Sequence, residues 1–209
     1  MVAKKVIVIH VRDDAEKEEF MKELQRLRVP AFIYVHGKLN SLKITVQGTK
    51  DEIRDALRRI REIQHRVRAR LYTNRRGLYM YGIEDIFREA GTSVSVQILL
   101  RTLELEGEYA EFNGETLKTS LPWNDIVELV RNLGGMLSEV SLQTTRQIRE
   151  VVLPVAAAFS LDPEEVLDLL VELGLAEYKE DKFKYELVKN KEQALKRLLE
   201  HLKGDADED

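Results

Sequence analysis

The sequence contains no cysteine, one tryptophan and four histidines. Lack of cysteine excludes disulfide bonds and thiolate metal sites. Together with 33% charged residues, it suits a reducing cytosol or a thermophile. No apolar run approaches the ~20 residues of a membrane-spanning helix. The first residues, MVAKKVIVIH, form too short an apolar run for a signal peptide. The sequence therefore predicts a cytoplasmic protein that does not bind membranes.

Motifs for catalysis and metal binding are also missing from the sequence. HExxH, CxxC, GxSxG and a P-loop do not occur. Asp13 and Asp14 follow a strand and would suit Mg²⁺, but this position is more typical of a helix cap. The histidines are not at metal-ligand spacing from one another: His10, His36, His65 and His201. We therefore expect a protein that is not an enzyme and holds no cofactor and no metal.

Charge is distributed unevenly along the chain, although the net charge is only −4. Residues 1–80 carry 19 Lys and Arg against 10 Asp and Glu, a net charge of +9. Residues 81–209 carry 14 against 27, a net charge of −13. This asymmetry predicts a basic domain that faces a polyanion and an acidic half that binds protein or a second copy of the chain.

Residues 54–76 hold nine arginines, no lysine and two acids. Apolar residues recur there at spacings of three and four, which predicts a helix with one face on a core. A second stripe at helical spacing is cationic: Arg54, Arg58, Arg61, His65 and Arg68. Further cations flank that stripe or follow the helix: Arg59, Arg66, Arg70, Arg75 and Arg76.

Two interpretations of the arginine stripe remain open at this point. Like charges four apart on a helix repel by roughly 0.2–0.5 kcal/mol per pair, so something must offset that cost. A phosphate backbone would do so, because a guanidinium presents a planar fork of donors to phosphate oxygens. Acids elsewhere in the fold would do so equally. We favour nucleic acid, since the arginines form a stripe.

The first 81 residues predict the order βαββα with a final strand. Strands are expected at 4–11, 31–36 and 41–47, with a helix from Asp13 to about Leu27. Thr49 and Glu52 form a capping box for the arginine helix. The fourth strand could be 69–73 or 78–81. This order is that of the ferredoxin-like plait, in which two helices cover one face of a four-stranded sheet.

Alternation along the strands predicts which residues lie on the open face of that sheet. If Ile33 and Val35 face the helices, then Phe32, Tyr34 and His36 face outward. By the same parity Lys43 faces outward from the third strand. Phe32, Tyr34 and Lys43 could therefore stack bases and hold phosphates. Packing against a second copy or the C-terminal region is the alternative, and the packing interpretations together are favoured.

The N-terminal domain resembles the RNA-recognition plait in topology. The aromatic-rich motif that this family carries on its third strand is missing, because SLKITVQ has no aromatic residue. The order is also similar to that of KH-type domains, but the sequence has no GxxG, and HGKLN is its nearest turn. The binding residues of neither family can therefore be transferred to this chain.

The acidic half predicts mostly helix, with Gly134-Gly135 breaking one helix and Pro154 kinking or splitting another that begins at Ser138. Asn113-Gly114 predicts a hairpin between two short strands. The order helix, glycine, hairpin, helix occurs twice and predicts two winged-helix-like units, at 82–136 and 137–203. Residues 204–209, GDADED, are expected to form an acidic disordered tail.

The chain taken whole resembles a group of archaeal proteins without an assigned activity. The resemblance rests on the βαββα start, on RLYTNRRGLYMYG and on VVLPVAAAFSLDPEEVLDLLVELGLAEY. Archaeal proteins of this character include ribosome-associated factors, among them those that pair small subunits during dormancy. The resemblance implies a ribosomal context and assigns no residue.

Three functional hypotheses follow. The first is a non-enzymatic protein that binds RNA or a ribosomal subunit through the arginine helix, with the acidic half contacting protein or forming a homodimer. The second is a DNA-binding winged-helix regulator, although the helices before both hairpins are acidic and would repel phosphate. The third is a small-molecule or enzymatic site on the sheet face, where His10, His36 and Tyr34 would converge.

Overall fold

A computed structural model of the protein describes residues 2–206. These form two compact units that divide between Tyr79 and Met80. Helices and antiparallel sheets occur in both parts of the chain, so the predicted α+β class is confirmed. No helix within the described range is long and apolar enough to cross a bilayer.

The N-terminal unit has five elements whose ends are set by local sequence signals. They are β1 (Ala3–His10), α1 (Asp14–Arg26), β2 (Phe32–Lys38), β3 (Ser41–Gly48) and α2 (Lys50–Leu71). The Asp13 carboxylate caps α1 by accepting a hydrogen bond from the Glu16 N–H at 2.8 Å. At the start of α2, Thr49 and Glu52 form the predicted reciprocal capping box.

The three strands form an antiparallel sheet in the order β1-β3-β2. Helices α1 and α2 pack against each other, and α2 also contacts β1 and β3, so one face of the sheet is covered. The core between them is apolar, and its most deeply buried members come from α1, β3 and α2: Phe20, Leu42, Ile44, Val46, Ala56, Ile60, Ile63 and Val67.

The predicted fourth strand of this sheet is wrong in both of its proposed positions. Residues 69–71 belong to α2, because its apolar stripe continues through Val67 to Leu71. The second position does form a strand, β4 (Tyr79–Gly82), but β4 pairs with a strand of a different sheet. Within residues 2–206 no strand pairs with the outer edge of β1. In a four-stranded plait the fourth strand would occupy that edge.

The second unit is mostly helical. Its elements are α3 (Ile83–Ala90), α4 (Val96–Leu105), β5 (Ala110–Phe112), β6 (Thr116–Thr119), α5 (Trp123–Val140), α6 (Arg146–Phe159), α7 (Pro163–Glu172), β7 (Ala176–Lys179), β8 (Lys184–Leu187) and α8 (Lys191–Ala206). Both expected hairpins are present, β5–β6 after α4 and β7–β8 after α7. Helix α6 packs against α4, α5, α7 and α8. The division of this half into two winged-helix-like units stays a prediction.

The predicted helix break at Gly134-Gly135 is wrong, and so is the predicted splitting of a helix at Pro154; the alternative of a kink at Pro154 stays a prediction. Helix α5 passes through Gly134-Gly135, where glycine allows close packing: a Cβ on Gly134 would lie 2.5 Å from Cγ2 of Thr92. Helix α6 is also continuous through Pro154. It is buried almost all round, so packing outweighs the backbone hydrogen bond that proline removes. The boundary between the two helices is at 141–145, after the predicted start at Ser138.

The last helix begins after Asn190, whose side chain accepts a hydrogen bond from the Gln193 N–H at 2.9 Å. It extends to Ala206, beyond the expected start of the acidic tail at Gly204. The remainder of that predicted tail, residues 207–209, lies outside the described residues.

Candidate nucleic-acid interface

The open edge of β1 and the neighbouring face of α2 line a groove of about 780 Å³, called the basic groove below. Ile53 and Leu57 of α2, buried and partly buried in the core, form the apolar floor of this groove. Cationic side chains surround that surface: Lys4, Lys5, Lys50, Arg54, Arg58 and Arg61. His65 and one acid, Glu62, complete the polar lining. The lining therefore carries a net charge of +5 with histidine neutral.

Two of these arginines interact with acids on α2. Arg54 hydrogen-bonds Asp51 one turn earlier, and Arg58 donates to Asp55 at 2.7 Å. Such pairs between exposed side chains are weak because solvent screens them, so an incoming phosphate can compete with them. Arg61 and the three lysines form no ion pair with any other described residue. Even with Asp51 and Asp55 counted, the groove stays strongly positive.

Asp55 keeps its charge beside these arginines. The hydrogen bond from Arg58 lowers the pKa of the Asp55 carboxyl below its ordinary value, and Arg59 adds a second contact at 2.9 Å. Arg59 is exposed and does not belong to the groove lining. Arg59 therefore forms an ion pair with Asp55, and the structure does not place it in the groove with Arg54, Arg58 and Arg61.

The remaining arginines of α2 form ion pairs with α1. Arg68 Nε donates to Glu16 Oε1 at 2.6 Å, and the Glu16 side chain is only 1% exposed. Arg66 and Arg70 both approach Glu23, at 3.8 Å and 3.4 Å. These three arginines therefore pair with acids inside the fold, which was the alternative to nucleic-acid binding that the sequence left open. They hold the two helices together and lie outside the groove.

Arg75 and Arg76 lie in the loop after α2. The Asn74 side chain shapes this loop by accepting from the backbone N–H groups of Arg76 (2.8 Å) and Leu78 (3.1 Å). Both arginine side chains are exposed, and neither belongs to the groove lining. The structure thus separates them from the other predicted site residues.

The uncovered face of the sheet carries the predicted aromatic residues. Phe32 is 68% exposed and Tyr34 is 59% exposed, whereas the alternate residues Ile33 and Val35 pack on the core. The predicted alternation of β2 is confirmed. Lys43 is exposed on β3 directly opposite His36. The face and the basic groove are two surfaces of one unit.

Sequence reasoning did not find the three lysines of the groove. Lys50 opens α2, and Lys4 and Lys5 lie in β1, far from the arginines in sequence. A signal existed in the pair Lys4-Lys5 at the start of a strand, since lysines on an edge strand discourage further strand pairing. That signal becomes useful only once β1 is known to be an edge strand. The sequence did not reveal this, because it predicted a fourth strand in the same sheet.

The alternative sites find less support in the geometry. In the second hairpin, Lys182 pairs with Glu186 at 2.8 Å and Lys179 pairs with Glu177, so two of its three lysines already have acidic partners. His10 and His36 lie on β1 and β2, with β3 between them. Within residues 2–206 no group of three or more His, Asp or Glu side chains is arranged to hold a metal ion.

Comparisons with known proteins bear on the chain as a whole. The model of a family described as "Uncharacterized protein conserved in archaea (DUF2067)" matches residues 9–196. An uncharacterized protein of Methanocaldococcus jannaschii is 25% identical over 207 residues, which are 98% of this chain and 97% of that protein. A chain in a crystal structure from Pyrococcus horikoshii OT3, titled as a complex of a/eIF2alpha, aDim2p and rRNA, is 15% identical. The match covers 81% of this chain and 94% of that chain with a TM-score of 0.21, too low to support an argument.

Proposed function

The chain belongs to this family of proteins conserved in archaea, and we propose that it is a non-enzymatic RNA-binding protein whose N-terminal unit holds the phosphate backbone in the basic groove. The resemblance to archaeal proteins predicted from the sequence is confirmed by the family match. The observation that carries the proposal is the groove itself, which combines six cations and one acid with a partly buried apolar floor.

Phosphate diesters fit this groove for two physical reasons. Four of its cations have no carboxylate partner among the described residues, so their charge is available to an external anion. Guanidinium groups also bind phosphate oxygens through paired donors, which a lysine-rich surface alone would not provide. Neutralising several phosphates releases counterions, and that release drives non-specific binding to nucleic acid.

We propose ribosomal RNA as the ligand and the acidic second unit as the part that contacts protein. The charge difference between the halves supports this division, since +9 in residues 1–80 attracts RNA and −13 in residues 81–209 is repelled by it. Basic ribosomal proteins are suitable partners for the acidic half. DNA binding through the hairpins is disfavoured, because Lys179 and Lys182 are paired with glutamates.

Retention of the full chain on ribosomal RNA at low and high salt tests the proposal. We expect salt-sensitive retention by the wild type and loss of retention in the double variant Lys5→Glu/Arg61→Glu. Arg197→Glu is the matched control, since Arg197 is also an exposed helical arginine that pairs with no acid of the described residues, but it lies on α8. Retention of the double variant equal to that of the control would overturn the proposal, as would failure of the wild type to bind at low salt.

A further inference from the structure

The open face of the N-terminal sheet has an unusual composition for a surface of this size. Its outward positions include three lysines, two histidines and two aromatic residues, and they include no aspartate or glutamate. They are Lys4, Val6, Val8 and His10 on β1, Phe32, Tyr34, His36 and Lys38 on β2, and Ser41, Lys43, Thr45 and Gln47 on β3. The face is thus apolar and cationic at once, and it offers no internal partner for its charges.

The two aromatic rings are placed to receive two neighbouring flat groups. Phe32 and Tyr34 are separated by one residue on a single strand, so their side chains emerge from the same face about 7 Å apart. Both are more than half exposed, and Val6 and Val8 on β1 are 44% and 54% exposed. Aromatic side chains exposed in this way on a sheet are stacking platforms for unpaired bases.

The charge of the face decides against a second copy of this chain as its occupant. Across a two-fold axis, the same patch would meet itself, and its lysines would be brought toward identical lysines without an acid between them. Such like-charge contacts are costly in an interface. A polyanion that also carries flat apolar groups satisfies both properties of the face, and single-stranded nucleic acid has that chemistry.

The face is continuous with the basic groove through the open edge of β1. Lys4 lines the groove and, through Gln47 of β3, lies in the same cross-strand row as Phe32. Two strand spacings put Phe32 about 10 Å from Lys4 across the sheet. Because no described strand pairs with that edge of β1, a polynucleotide can pass from the groove onto the face.

We infer that the open sheet face binds single-stranded RNA, with two consecutive bases stacked on Phe32 and Tyr34 and the adjoining phosphates held by Lys4, Lys43 and the basic groove. This inference rests on the proposed RNA-binding function and adds the strandedness of the ligand. A duplex keeps its bases stacked on one another, so it can use the groove but not the aromatic rings.

The test compares a short unstructured oligouridylate with an RNA duplex of equal length, using fluorescence anisotropy and the full chain. Each alanine substitution, Phe32→Ala or Tyr34→Ala, is expected to weaken single-strand binding by roughly 5- to 150-fold, from the usual effect of removing one stacked base. Duplex binding is expected to stay unchanged. The conservative variants Phe32→Tyr and Tyr34→Phe keep an aromatic ring and are expected to bind like the wild type.

A spectroscopic readout separates stacking from loss of fold. In Tyr34→Trp the new indole is expected to be quenched by oligouridylate, whereas no such quenching is expected in the wild type, whose one tryptophan is Trp123. Equal single-strand affinity of the alanine variants and the wild type would overturn the inference while leaving the groove proposal intact. A wild-type dimer that Phe32→Ala dissociates, seen by light scattering, would overturn it in favour of a second copy. Absence of wild-type binding to either RNA would overturn both proposals.

Discussion

The salt dependence of RNA binding is the property that the basic groove determines most directly. Log affinity falls linearly with log salt, with a slope set by the number of phosphates that the protein neutralises. The groove offers six cations, of which Arg54 and Arg58 already contact acids. Between four and six phosphates can therefore be neutralised, which predicts a slope of about −3 to −4 for single-stranded RNA.

This slope translates into a large change over an ordinary salt range. Raising monovalent salt fourfold, from about 50 to 200 mM, is expected to weaken binding by about 50- to 300-fold. Arg61→Glu removes one unpaired cation and adds an anion, so the slope is expected to become shallower by about 0.7 to 1.4. Arg197→Glu makes the same charge change on α8 and is expected to leave the slope as it is.

Anisotropy titrations of labelled oligouridylate at four or more salt concentrations measure these slopes. Both variants replace an exposed side chain, so thermal unfolding curves that match the wild type serve as the control for folding. A wild-type slope near zero would refute the argument that phosphates enter the groove. Equal slopes for Arg61→Glu and Arg197→Glu would show that net charge, and not the groove, governs binding.

Three further predictions concern stability. Arg68→Met leaves the buried Glu16 carboxylate with one donor, the Arg12 N–H at 2.8 Å. The free energy of unfolding, measured in urea, is therefore expected to fall by about 2–3 kcal/mol, and adding Glu16→Met to this variant is expected to restore most of it. An unchanged free energy of unfolding in Arg68→Met alone would contradict the structural role of Arg68. Gly134→Ala places a methyl against Thr92 and is expected to lower the free energy of unfolding by about 1–3 kcal/mol. The new methyl of Gly135→Ala meets nothing within 4 Å, so this variant is expected to gain about 0.5–1 kcal/mol. Changes in melting temperature of the same sign in both variants would refute the packing argument. Burial raises the pKa of the Glu150 carboxyl, but hydrogen bonds from Lys191 (2.6 Å) and Arg146 (2.8 Å) outweigh burial and lower it overall, so its contribution to stability is present above the unfolded pKa and lost as pH falls through the folded pKa. We therefore expect acidification to about pH 3 to destabilise the wild type more than Glu150→Gln, and equal losses would contradict this assignment.

Local signals were sufficient for most elements of the N-terminal unit. Asp13 and the Thr49–Glu52 box each satisfy backbone donors within one turn, so the starts of α1 and α2 depend on a few neighbouring residues. Alternation along β2 and β3 was equally readable, because each strand buries one face. Local rules wrongly predicted a break at Gly134 and allowed a split at Pro154, where packing from distant residues outweighs the intrinsic cost of glycine or proline in a helix.

The sequence by itself determined that residues 54–71 form a helix with cations on its outward face, since helical periodicity and charge are properties of that segment alone. Only the tertiary structure decided how those cations are used. Arg66, Arg68 and Arg70 turn toward acids of α1, while Arg54, Arg58 and Arg61 join three lysines at the open edge of β1. That division depends on where α1 packs and on β4 pairing in another sheet, and both are contacts between residues far apart in the chain.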